Sequence, residues 1–157
     1  MTLIVETGAG ISEANSYIAA EIAAAHFTAL GLTVWAEARE AQREQALIYA
    51  SAYVDSYRYE GKVLKDGQGL AWPRRGASDR EGRILVGLPH ALRTAVLEVA
   101  ADFIKSPPLA FGGREVIREK AGPVELAYSK TRRQPSFVFR LLQQIGARPA
   151  LPDVRRG

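Results

Sequence analysis

Leu70-Ala71-Trp72-Pro73-Arg74-Arg75 places a large amphipathic ring, a rigid imino acid and two permanent positive charges side by side. Proline at 73 biases Trp72 away from helix, so the indole is presented from an extended segment. Such a segment can plug a core or grip a partner. Leu70, Trp72 and Pro73 are expected to anchor a loop, with Trp72 turned inward against a helix carrying Leu47 and Val54. Arg74 and Arg75 are expected to face a partner. Further compact basic groups lie at Lys130, Arg132 and Arg133, at Arg148, and at Arg155-Arg156. Aromatic residues Tyr128, Phe137 and Phe139 accompany them, and basic groups beside aromatic rings suit stacking of single-stranded nucleic acid. Phe137 and Phe139 border a helix pattern, however, which equally suits a core.

Other chemistry is poorly supported. Gly8-Ala9-Gly10 after an apolar run invites a dinucleotide-binding reading, but Glu13 stands where that pattern needs a third small residue and would face a pyrophosphate unfavourably. The two histidines, His26 and His90, have no metal-ligand partner three or four residues away, and there is no cysteine. No nucleophile elbow occurs, and the acidic residues near 60–81 match no calcium-loop spacing. The expectation is therefore no enzyme activity, no metal and no cofactor.

Charge is divided unevenly. Residues 1–60 carry a net charge of −5 and residues 61–157 a net of +9. An acidic end and a basic end suit nucleic-acid contact or head-to-tail packing of copies. No window approaches 18 uninterrupted apolar residues, so no membrane partner is expected.

The elements that must position these residues are mainly helical. Thr2–Val5 reads as a short strand or extended arm, followed by a helix over Ile18–Leu30, with Asn15 and Ser16 as candidate caps and Ile22, Phe27 and Leu30 as its buried face. Thr33–Ala38 reads as a connection carrying Trp35. Leu47, Ala50, Val54 and Tyr57 recur at helical spacing and define a helix over Glu37–Tyr57. Residues 58–88 read as a long ordered loop, in which Gly69 carries no evident requirement. Pro89 opens a helix to Lys105 with Leu92, Ala95, Val96, Val99 and Phe103 as its apolar stripe. Two short strands around Ala121-Gly122-Pro123 and a last helix through Val138, Leu141, Leu142 and Ile145 complete the pattern. The expected architecture is a mainly α, small helical bundle of about four helices with a short β-hairpin and extended terminal arms. One domain is expected over 1–146, followed by a Pro/Arg-rich tail over 147–157 ordered by a partner.

Several segments, taken in order, resemble a known family: Ala14-Asn15-Ser16-Tyr17; Gly31 with Trp35; Ala46–Ala50 with Tyr53-Val54-Asp55; Gly61 and Gln68–Arg74; Pro89 with Ala95 and Ala100; and Glu119–Val124 ending in Tyr128. Together they look like the small head–tail connector (adaptor) proteins of tailed bacteriophages. Similar chains also carry the label DnaT-like single-stranded-DNA-binding domain. The first resemblance implies a structural virion protein of the neck, assembled in the host cytoplasm. It implies a homo-oligomeric ring of twelve copies beneath the portal, extending the channel for packaged double-stranded DNA and meeting a neck or tail-completion protein. Lys130 and the arginines at 74, 75, 132, 133, 148, 155 and 156 would then face protein partners. The alternative is a DnaT-like single-stranded-DNA-binding protein acting in phage replication.

Overall fold

The computed structural model describes residues 2–107 and 133–149, and the side chains of 133–136 are not among those described. The helices are α1 (Ala20–Ala29), α2 (Thr33–Glu37), α3 (Glu40–Asp55), α4 (His90–Lys105) and α5 (Arg133–Gln143). Two short strands, β1 (Lys62–Val63) and β2 (Arg74–Arg75), pair antiparallel. The chain is mainly helical with a small hairpin.

α3 and α4 form the centre of the bundle because each has a continuous apolar stripe. Ala46, Leu47, Ala50 and Val54 on α3 meet Leu92, Ala95, Val96, Val99 and Phe103 on α4, all buried. Small residues on both helices let their backbones approach closely. α5 closes the other side of α4 through Val138 and Leu142, one helical turn apart, with buried Ile145 in the turn that follows. α1 and α2 cover the remaining edge, where Phe27 packs on Trp35 with ring centres 4.5 Å apart.

Several local expectations give way. Thr33–Glu37 is a short helix, not a plain connection. α1 starts at Ala20, and Asn15 does not cap it. Asn15 instead accepts the Ile4 N–H at 2.8 Å and donates to the Thr2 carbonyl, tying the N-terminal arm to residue 16, where Val5 and Ser16 bridge in parallel. Ile22 and Leu30 are exposed, leaving Ala23 and Phe27 as the buried face of α1. An alanine-rich helix has too little contrast between its faces for spacing to choose the inner one. The strands expected around 121–123 lie outside the described residues. The hairpin that is described forms inside the 58–88 segment.

The glycines explain part of that hairpin. Gly61 has φ +80° and Gly76 φ +84°, a left-handed backbone that favours glycine at both ends of the ribbon. Gly69, unremarkable in sequence, is required by close packing: a Cβ there would lie 2.5 Å from the Ala14 carbonyl oxygen and 2.8 Å from that of Ser12. The chain also crosses itself late. Arg58 and Arg148 exchange backbone hydrogen bonds of 2.8 and 2.9 Å, and Ala147 beside Arg148 is buried. The first residues of the 147–157 segment are thus pinned to the end of α3 by their own chain.

Candidate nucleic-acid interface

The segment 70–75 is built around a buried polar network. Trp72 is fully buried and meets Tyr59 edge-on at 5.4 Å, in the same core cluster as Leu47 and Val54. Its peptide bond to Pro73, itself buried, is cis, and Leu70 is half-buried against the same core. Asp55, at the end of α3, accepts the Tyr17 hydroxyl at 2.6 Å and the Ala71 N–H at 2.9 Å. Tyr17 in turn accepts the Trp72 N–H at 3.0 Å. Burial pushes the Asp55 carboxyl up to about 6, although these hydrogen bonds and the nearby Arg74 charge favour its ionised form. Burial, reinforced by the Asp55 charge, likewise holds the Tyr17 hydroxyl well above its ordinary value. The tyrosine is therefore a neutral donor, and the network is a clamp.

Arg74 belongs to the same clamp. Its guanidinium donates to the carbonyls of Glu60 (2.8 Å), Ala71 (3.0 Å), Gly61 (2.9 Å) and Tyr59 (3.4 Å). A planar five-donor fork suits this closure of the loop onto the start of β1. The expectation that Arg74 faces a partner gives way to a mainly structural role, because four of its five N–H groups are directed at carbonyls of its own chain. Arg75 differs: it is exposed, and one donor reaches the Leu64 carbonyl at 2.8 Å.

The hairpin then aligns like charges. Lys62 stands directly opposite Arg75 in the β1–β2 register, and both are exposed. Arg58 stands directly opposite Arg148, also with both exposed. Like charges facing each other across strands repel, each pair by a few tenths to about 1 kcal/mol. Lys62 and Arg75 line an open groove of about 640 Å³ together with Gly61, Val63, Leu64, Asp66 and Arg74, and exposed Lys65, Arg58 and Arg148 lie nearby along the chain or its bridge rather than in the lining. Residues 58–75 with Arg148 hold six bases against two carboxylates, Glu60 and Asp66. An anion in the groove would turn the repulsion into attraction. A string of phosphates is the anion that matches several cations spaced along a ribbon.

Of the basic residues singled out in the sequence, Arg75 and Arg148 lie on this ribbon, and Arg74 supports it from beneath. Arg133 lies in α5 with its side chain undescribed; Lys130, Arg132, Arg155 and Arg156 lie outside the described residues, as does Tyr128. Arg58, Lys62 and Lys65 escaped sequence reasoning. Their charges are single, and only pairing across the hairpin and across to residue 148 brings them together. The nearest available signal was the pair of glycines at 61 and 76, which bracket the ribbon.

The Gly8-Ala9-Gly10 turn is not a phosphate cradle. Glu6 is buried and fills it: its carboxylate accepts the N–H groups of Gly8, Ala9, Gly10 and Ile11 at 2.8–2.9 Å. His26 packs edge-on against Phe27, and His90 lies 3.4 Å from the Thr94 hydroxyl. Among the described residues no group of three His, Asp or Glu could hold a metal ion, and no helix is long and apolar enough to cross a membrane.

No curated protein and no solved structure matches the chain. One family model does, described as "Putative DnaT-like ssDNA binding protein", and it spans residues 1–155. This overturns the head–tail adaptor expectation. Nothing found supports a connector family, and the match points to single-stranded DNA as the partner in place of a twelve-membered ring around duplex DNA beneath a portal. The adaptor reading failed because its motifs, the Trp-Pro-Arg segment above all, mark a way of folding a loop onto a bundle, and a folding motif does not by itself name the partner. Over nearly its whole length, the chain belongs to the family of DnaT-like single-stranded-DNA-binding proteins.

Proposed function

We propose that this protein is a non-catalytic module that binds single-stranded DNA through its phosphate backbone, in the service of DNA replication. Lys62 and Arg75, with Arg58, Arg148 and Lys65, hold successive phosphates along the hairpin ribbon. The observation that carries the reading is the pairing of like charges, Lys62 with Arg75 and Arg58 with Arg148, in a member of this family. Phosphate contacts fix position without reading sequence, so binding is largely indifferent to base order. Trp72 and Asp55 serve the ribbon indirectly, by clamping its base to the helical core. Neither a cofactor nor a metal is needed.

Fluorescence anisotropy of the purified chain with a labelled oligothymidylate tests this at two salt concentrations. Micromolar or tighter binding that weakens steeply with salt is the expected outcome. Weak binding that does not change with salt would contradict it.

A further inference from the structure

The solvent face of α5 carries a pair of side chains that the hairpin ribbon does not use. Phe137 keeps 42 % of its surface exposed, while Val138 and Leu142 form the buried inner stripe of the same helix. The Arg140 guanidinium lies 5.9 Å from the centre of the Phe137 ring, an i, i+3 pair on one face. Just past the end of α5, the Gln144 backbone carbonyl accepts the Arg80 N–H at 3.1 Å. Gln144 lines an open groove of about 300 Å³ with Arg80, Arg83 and His90 at the start of α4. Asp79 and Glu81 line it too. Asp79 is taken up by the Arg83 guanidinium at 2.8 Å and by the N–H groups of Glu81 and Arg83. An uncovered aromatic ring with a guanidinium beside it thus sits on α5, and the turn that ends this helix borders a groove carrying two more guanidinium groups.

We propose that Phe137, with Arg140 beside it, is a stacking platform for an unpaired nucleobase, and that the Arg80–Arg83 groove receives the adjoining phosphate. This rests on the single-stranded-DNA reading and adds to it a base-contacting site separate from the hairpin. Every base has a π-face, so stacking tolerates any sequence, yet a base held inside a duplex cannot offer that face. The platform thus supplies what a row of cations cannot: discrimination of single from double strands. A guanidinium flanking the ring suits the occupant twice, by stacking on the base plane and by attracting the phosphate.

The test compares a labelled oligothymidylate with an abasic strand of equal length, using wild type, Phe137→Ala, Phe137→Leu and Phe137→Trp. Wild type is expected to prefer the base-bearing strand. Phe137→Ala and Phe137→Leu should each lose about 5- to 150-fold on that strand and nothing on the abasic one. Phe137→Trp should retain the preference. Equal wild-type affinity for the two strands, equal losses on both, or full retention in Phe137→Leu would overturn the platform while leaving phosphate binding intact. A Phe137→Ala change that converts a dimer to a monomer in sedimentation, with base-bearing affinity unchanged, would assign the face to a second copy of the chain and overturn it too. Failure of wild type to bind either strand would sink the single-stranded-DNA reading and the platform with it.

Discussion

The Tyr17 hydroxyl donates to the Asp55 carboxylate at 2.6 Å while accepting the Trp72 N–H at 3.0 Å. Three segments far apart in the chain meet in that arrangement: the approach to α1, the end of α3 and the base of the hairpin. Asp55 also holds the Ala71 N–H, so the carboxylate governs the geometry of the two residues that precede Pro73. The two strands of the basic ribbon leave from this clamp, Lys62 seven residues after Asp55 and Arg75 four residues after Ala71.

This clamp predicts a pH dependence of stability. Burial raises Asp55 from 3.8 to about 6, so between those values the folded chain binds a proton that the unfolded chain has released. Stability from this group is therefore highest below pH 4 and falls as pH rises towards 6, by roughly 3 kcal/mol in all. Urea unfolding of wild type and Asp55→Asn across pH 4–7 isolates the effect, since the other carboxylates are common to both. The wild-type curve should decline relative to the variant over that window. Parallel curves would show that Asp55 does not titrate there.

Glu6 predicts a different failure. Its carboxylate satisfies four backbone N–H groups in a buried turn, two of them at glycines. Glu6→Gln turns an amide NH2 towards donors and leaves some of them unpaired, at a cost of about 3 kcal/mol. The loss should appear as a lower denaturation midpoint, together with faster hydrogen exchange at Gly8–Ile11. An unchanged midpoint would mean that water replaces the carboxylate readily.

Adjacent arginines should behave oppositely. Arg74 closes four carbonyls within the chain, whereas Arg75 stands exposed opposite Lys62. Arg74→Gln should destabilise the fold by about 2 kcal/mol. Arg75→Gln should leave the unfolding free energy within about 0.5 kcal/mol of wild type and weaken oligonucleotide binding. Similar effects of the two substitutions on stability would contradict the division of labour.

Much of the scaffold is legible in the sequence. α3 and α4 announce themselves because Leu47, Ala50 and Val54, and Leu92, Val96 and Val99, repeat at the period of a helix with one buried side. The hairpin was not legible. Its strands are two residues each, too short for an alternating pattern, and they pair across a gap spanned by Leu64–Pro73. The role of Gly69 depends on carbonyls at Ser12 and Ala14, and that of Glu6 on the curl of the backbone after it, so neither has a local signature. Arg74 and Arg75 look identical in sequence. Only the approach of Tyr59–Gly61 separates a structural arginine from one that is available to a ligand.

The central claim is that the paired like charges of the hairpin hold single-stranded DNA phosphates. Its most direct test is the salt dependence of oligothymidylate binding for wild type and Lys62→Gln/Arg75→Gln. Each phosphate contact removed should lower the slope of log K against log salt by about 0.7, so the double variant should bind more weakly with a slope shallower by about 1.4. Its unfolding free energy should be equal to or slightly above that of wild type, because a repulsive cross-strand pair is gone. An unchanged slope, with affinity equal to wild type, would place the DNA elsewhere on the molecule and contradict the account.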